Sequence, residues 1–322
     1  MKTNRLFALS SLFVAATFGQ SAGAFSLFDF TVYTKEGISS QRSDFQGLTG
    51  SGGDIILSDF EIRRTRQPMG QYAVFGAGKF ELNRGSVHIV RNGRLAQGAV
   101  EARDVSIRKA GSVPRRETSD FYVDHRGLAE EMDRASGRLA AGVAMGTPVV
   151  VTDNRFVSKG PGSINIFQTS AQDFEARDVF ISGSAGDVMV INVQARIDGD
   201  WRVVNIRNKG IFIEGGVSQH TILWNFSDSN AVFIGRTGVD RNDSHRKHWG
   251  MPGTVLAPHA EVVFTDSLVT GAIFARKLSN IRANPGHEQL PGGQVNDACF
   301  NGGATGIGCG ATPPPCPPDD KK

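Results

Sequence analysis

The chain has 322 residues, with 35 basic and 32 acidic side chains, 39 glycines and three cysteines. A formal net charge of +3 gives no basic field of the kind that draws a protein onto nucleic acid or an anionic membrane. All three cysteines fall within the last 24 residues, so the core must fold on apolar side chains without a disulfide framework.

Met1–Arg5 is short and carries Lys2 and Arg5; Leu6–Gly19 is apolar and uncharged; Ala22-Gly23-Ala24 supplies small residues in an A-x-A pattern. This is the three-part layout of a secretory signal peptide, with cleavage expected before Phe25. The apolar run is about 14 residues, short of the roughly 20 that span a bilayer as a helix. A buried N-terminal helix is the competing reading. Residues 1–24 are therefore expected to be removed, and the mature chain, with 33 basic against 32 acidic residues, exported to the periplasm, cell surface or medium.

From Phe25 the pattern is that of β-structure. Short runs of Val, Ile and Phe alternate with polar residues, as in Asp54–Ile62, Gly85–Val90 and Val188–Val193, and Gly, Asn, Asp or Ser bounds each run. Glycine at the boundaries suits corners that need a positive φ. One segment differs. Between Glu117 and Gly142, Leu128, Met132, Ala135, Leu139 and Val143 recur at helical spacing, with Glu130, Glu131, Asp133, Arg134 and Arg138 between them. An amphipathic helix is expected there, started by Ser119 or Asp120 and ended by Gly142.

Glu101-Ala102-Arg103-Asp104-Val105-Ser106-Ile107 returns as Glu175-Ala176-Arg177-Asp178-Val179-Phe180-Ile181. Many short strands with such self-similarity predict an all-β fold, a parallel β-helix (β-solenoid) with one amphipathic helix packed alongside. A β-sandwich is the alternative. After about residue 290 the chain becomes Gly- and Pro-rich, so a folded domain is expected over 25–290 and a flexible tail over 291–322.

Catalytic signatures are missing: there is no G-x-S-x-G elbow, no H-E-x-x-H and no EF-hand loop, and Gly76-Ala77-Gly78-Lys79 lacks phosphate-loop spacing. No catalytic residue and no cofactor is expected. Asp198 and Asp200, in Arg196-Ile197-Asp198-Gly199-Asp200-Trp201, read as turn residues. Asp240, Asp243, His245 and His248 cluster in one segment and are candidate metal ligands, with Trp249 beside Arg246 and Lys247 suited to a sugar or an acidic polymer. A solvated insertion loop is the competing reading. Cys299 and Cys309 can close a small disulfide loop, leaving Cys316 odd; no nearby His or C-x-x-C pair completes a tetrahedral metal set.

Val190-Ile191-Asn192-Val193, Ile222-Leu223-Trp224-Asn225-Phe226, Gly253-Thr254-Val255-Leu256-Ala257-Pro258-His259-Ala260 and Val269–Ala275 follow one another in the order of segments in a known family. In these, and more loosely in Ser43-Asp44-Phe45-Gln46-Gly47 and Gly52-Gly53-Asp54, the chain resembles the choice-of-anchor A proteins, exported bacterial proteins regarded as adhesins. Two departures stand out: His259 where that family usually has Asn, and a longer, more charged segment between Gly235 and Gly253. Gly253 and Gly271 lie 18 residues apart, a plausible solenoid turn, and Ala257-Pro258 marks a corner because Pro cannot donate to a ladder. Trp224 and Phe226 share one face of their strand and are read as core.

The resemblance implies a non-enzymatic adhesin of the surface or extracellular matrix. Its partner would be a polysaccharide, a matrix protein or a cell-surface component, with no integral membrane segment after signal removal. A polysaccharide lyase or hydrolase on a β-helix is the alternative, and a row of Thr suited to ice is not apparent. If the signal reading is right, protein recovered from the producing cell's exterior has Phe25 at its N-terminus; intact-mass measurement showing residues 1–24 retained overturns it.

Overall fold

The structure is a computed structural model, and the residues it describes are 26–63, 74–87, 100–105, 123–142, 147–207, 209–235, 250–280, 293–296, 299–302, 305 and 307–308. From a single 3-10 turn at Leu27–Asp29 the chain enters β1 (Val32–Gln46), β2 (Thr49–Ser51), β3 (Asp54–Arg63), β4 (Val74–Gly76), β5 (Phe80–Val87) and β6 (Val100–Val105). These stack in parallel, rung upon rung. The helix α1 (His125–Ala140) interrupts the climb. A second series follows: β7 (Val149–Val150), β8 (Arg155–Val157), β9 (Ile164–Ser170), the short helix α2 (Ala171–Ala176), β10 (Val179–Gly183) and β11 (Val188–Gln194). It continues through β12 (Arg196–Asp198), β13 (Trp201–Arg207), β14 (Ile211–Gly215), β15 (Ile222–Asn225) and β16 (Ala231–Gly235). It ends with β17 (Gly250–Pro252), β18 (Thr254–Thr265), β19 (Leu268–Thr270), β20 (Ile273–Ser279) and β21 (Gln294–Asn296). There β20 pairs in parallel with β1, so the last full rung of the second series lies against the first rung of the chain.

The result is a β-solenoid with three faces. One face stacks β7, β9, β11, β15, the first part of β18 and of β20, the start of β1, then β2 and β4. A second stacks β13, β16, the later parts of β18 and β20, the middle of β1, then β3, β5 and β6. The third holds β8, β10 and β14, then β17, β19, β21 and the end of β1. Among the described pairings only β12–β13 is antiparallel. Inward side chains from all three faces, Ile38, Phe45, Ile55, Phe60, Val204, Trp224, Phe226, Val232 and Leu278 among them, form one buried core. Trp224 and Phe226 are core, as read from the sequence; the Trp224 indole donates to the Pro252 carbonyl at 2.6 Å.

Rung length follows the corners. Val255 pairs with Ile273, 18 residues on, the spacing that Gly253 and Gly271 suggest. Both positions need glycine: a Cβ on Gly271 would fall 2.2 Å from the Gly253 carbonyl oxygen, and Gly253 has φ +94°. Glycine does not serve every corner, however. Arg42, Asp59 and Arg84, at φ +52°, +51° and +58°, sit one above another where the second face turns into the third. Left-handed backbone is costly for such residues, on the order of 1–2 kcal/mol each. Here the stacked ladders on either side hold it, and Arg84 bonds the Asp59 carboxylate at 2.9 Å.

The amphipathic helix forms where its periodicity predicts, with a different start. Its N-cap is Asp124, which accepts from Gly127 N, and Gly142 at φ +63° follows its end. It lies across the first face. Leu128, Met132, Ala135 and Leu139 pack there with outward residues Tyr33, Ile166, Val190, Leu223, Leu256 and Phe274 in a second apolar cluster. Buried polar groups fix its register. Asn225 Nδ2 donates to the Ser136 carbonyl at 3.0 Å and to Asn192 Oδ1 at 2.7 Å, while Asn192 Nδ2 donates to the Leu139 carbonyl at 3.1 Å.

Two expectations are corrected. The Glu101–Ile107 and Glu175–Ile181 segments are not structural equivalents. Residues 101–105 belong to a strand, whereas Glu175 and Ala176 close α2, because Ser170 caps that helix by accepting from Asp173 N. Nor is the chain beyond 290 wholly outside the fold. β21 pairs with β1 and β19, and Phe300 and Ile307 are buried in the cluster under α1. The expectation missed this because a three-residue strand in a Gly-rich stretch has no periodicity to read.

Asn225→Ala removes a donor and leaves Asn192 and the helix without their buried partner, so urea denaturation should show a loss of about 1–3 kcal/mol. Asp187 is buried and accepts from Ser184 N at 2.6 Å and Ser163 N at 3.2 Å, and these bonds hold its pKa below the ordinary value. A depressed native pKa contributes stability above the unfolded value of about 3.9 and loses it as pH falls through the native value. Asp187→Asn should therefore lower the melting temperature at neutral pH and flatten its decline below about pH 4; parallel acid declines for the two proteins would contradict this.

Candidate functional site

The helix α1 covers the first face, and the second lies open apart from α2 beside β13. Its strands alternate. Val204, Ile206, Val232, Ile234, Val262, Phe264, Leu278, Ile38, Ile55 and Leu57 point into the core, and the residues between them point out. The register sets one outward row across six rungs: Asn205, Phe233, Val263, Ser279, Ser39 and Ile56. The row contains no threonine. It is a mixed apolar and polar surface, continued by Glu81 on β5.

At one end of this face the β12–β13 hairpin departs from the parallel stack. α2 takes the place of a strand beside β13, and its Glu175 carboxylate accepts from Asn205 N at 2.5 Å and from Arg196 Nε at 3.2 Å. Gly199 makes the turn at φ +60°, with Asp198 opposite Trp201, so Asp198 and Asp200 lie at a hairpin tip as read from the sequence. The hairpin presents two large apolar side chains to solvent: Ile197 is 79% exposed and Trp201 is 56% exposed.

Hairpin and face together line a groove of about 650 Å³. Its floor is Val203, Asn205, Ala231, Phe233, Val263 and Ser279; Trp201, Arg196 and Asp198 stand on the hairpin side, and Glu261 and Lys277 on the other. Arg196 and Lys277 are each paired with a carboxylate. Arg196 Nη1 lies 3.0 Å from Asp198 Oδ2, and this bond favours the charged guanidinium. Lys277 lies 3.8 Å from Glu261, which accepts from Ser279 Oγ at 2.6 Å. The Arg207 guanidinium sits 4.7 Å over the Phe233 ring and bonds Asn205 Oδ1. Such a groove can stack a flat apolar ligand surface on Trp201 and offer both donors and acceptors around it.

The expected metal set of Asp240, Asp243, His245 and His248, with Trp249, lies outside the described residues. Among the described residues no three His, Cys, Asp or Glu side chains converge on a metal position, and no helix is long and apolar enough to cross a membrane. Cys299 is disulfide-bonded, and its partner, whether Cys309 or Cys316, lies outside the described residues. His259 is half-exposed, with Nε2 at 3.7 Å from Asp133 of α1. Sequence reading missed Trp201, Arg196, Phe233 and Lys277 as groove residues. The available signal was an exposed Ile-Asp-Gly-Asp-Trp hairpin, read only for its turn.

A family model described as "Putative Ice-binding-like adhesive domain" matches residues 26–287. That span covers the solenoid from its first turn almost to its last strand, and the chain belongs to this family of adhesive, ice-binding-like domains. Among solved structures it is similar to an ice-binding protein from the Antarctic ascomycete Antarctomyces psychrotrophicus, at 11% identity and a TM-score of 0.39, over 84% of this chain and 95% of that one. It is also similar to the ice-binding protein 1 domain of Shewanella frigidimarina, at 13% identity and a TM-score of 0.41, again over 84% and 95%. No curated protein matches the sequence.

Proposed function

We propose that this is an exported bacterial surface or matrix protein of the choice-of-anchor A type, which adheres through the second face of its solenoid to extracellular polymers or to other cells and performs no catalysis. The observation that carries the reading is the groove on that face, where Trp201 stands exposed over a floor of mixed polar and apolar side chains. Ile197 and Trp201 stand exposed together on a hairpin tip, and an apolar anchor set beside a polar rim suits recognition. Membership of an adhesive-domain family supports the same role. The outward row has Phe233, Val263 and Ile56 beside Asn205 and Ser279, in place of a repeated threonine, and this favours a polymer over ice.

A second reading has one observation in its favour. Asp198 and Glu261 share the groove with Arg196 and Lys277, the company that a lyase or hydrolase would need. Each carboxylate is already neutralised by its neighbour, which suits binding better than proton transfer. A screen of the mature protein (residues 25–322) on polysaccharide and matrix-protein arrays, with product analysis of each glycan, separates the two. Retention with every glycan intact is the expected result, and shortened glycan chains would overturn it in favour of an enzyme.

A further inference from the structure

From the composition of the groove we infer that it is a subsite for a neutral polysaccharide, with Trp201 as its stacking platform; the inference rests on the adhesive reading above and narrows it. Three features carry it. First, Trp201 is exposed on the groove side, and among the described residues its indole N–H has no hydrogen-bond partner. An aromatic face carries negative charge density, which attracts the weakly positive C–H groups on the apolar side of a pyranose ring. The idle N–H can then donate to a hydroxyl on the same sugar.

Second, the charges cancel. Arg196, Arg207 and Lys277 bring three positive charges; Asp198 and Glu261 in the groove, with the Glu175 carboxylate behind Arg196, bring three negative ones. A polyanion such as a uronate chain meets no net positive field here and would have to displace carboxylates from their guanidinium and ammonium partners. A hydroxyl-rich neutral chain has no such penalty. A vicinal diol can accept from Arg196 while donating to Asp198, and another can do the same between Lys277 and Glu261, leaving both ion pairs in place.

Third, the shape suits a chain. The floor crosses four rungs, β13, β16, β18 and β20, and rungs repeat about every 4.8 Å, so it runs roughly 14 Å along the solenoid. It is open along the face, with polar groups recurring at Asn205 and Ser279. That is room for several linked sugars and no enclosure for a single one.

Affinity electrophoresis of the mature protein tests this, in gels cast with mannan, laminarin, xyloglucan or dextran as neutral probes, and alginate or polygalacturonate as acidic ones. The wild type should be retarded in at least one neutral gel, and to the same extent at 0.1 and 1 M salt. Trp201→Ala should weaken that retardation at least tenfold, and Trp201→Phe should recover part of it. Phe212→Ala, on the third face where Phe212 stacks on Phe180, should leave it unchanged. Melting temperatures of all three variants, measured in parallel, separate a lost platform from a lost fold; loss of retardation with the wild-type melting temperature supports the subsite. Undiminished retardation of Trp201→Ala removes Trp201 from the site. Retardation in acidic gels alone, abolished by salt, overturns the neutral specificity. If no gel retards the wild type while whole cells or matrix proteins still retain it, the subsite fails and the adhesive reading survives. If nothing retains it, both fail.

Discussion

A rung of this solenoid has no core of its own. Three short strands and their corners can turn at most one side chain in two toward the axis, and those side chains are buried only by the rungs above and below. Every other feature answers to that condition. It forces the parallel stacking, aligns the corners into columns, and lets residues as reluctant as Arg42, Asp59 and Arg84 hold left-handed backbone, because the ladders on both sides dictate where the bend must fall. It also leaves outward side chains free of the folding problem wherever nothing else packs on them. The three faces have used that freedom differently.

The first face gives it up to α1. Its outward residues are apolar and interlock with the helix, and the Asn192–Asn225–Ser136 hydrogen bonds make the fit specific to one register. The second face keeps it. Charged, aromatic and small polar residues alternate there without covering structure, and the β12–β13 hairpin adds relief at one end. Covered and open faces divide the labour: one ties the two series of rungs together, the other is available to a partner.

This division explains what could be read from the sequence. Val190–Val193, Ile222–Phe226, Gly253–Ala260 and the Ile273–Ala275 part of the last segment contribute strands of the covered face, where, His259 at the corner apart, outward and inward positions are both buried. Nearly continuous apolar runs with fixed Gly and Pro corners are what such strands require, so those segments announce the fold clearly and say nothing of a ligand. The open face has the weaker pattern of period two, and its outward residues are under no packing constraint. Trp201 and Phe233 come to line one groove only through the β13–β16 register, which sets Asn205 opposite Phe233. The repeated Glu-Ala-Arg-Asp segment misled for the converse reason: a five-residue likeness cannot outweigh a Ser cap that turns one copy into helix.

The meeting of β20 with β1 has a consequence for how the protein is made. A chain made from its N-terminus delivers β1 about 240 residues before the strand that will lie on its other side. Throughout that interval β1 has an unsatisfied edge, flat and parallel-pairing, of the kind that recruits strands from other molecules. The early rungs cannot be sealed by waiting for their sequence neighbours; they are sealed only when the far end of the protein arrives. Folding is thus a race between completing the chain and finding the wrong partner, and a truncated chain that stops before Ile273 would be left with its first strand permanently adhesive to its own kind.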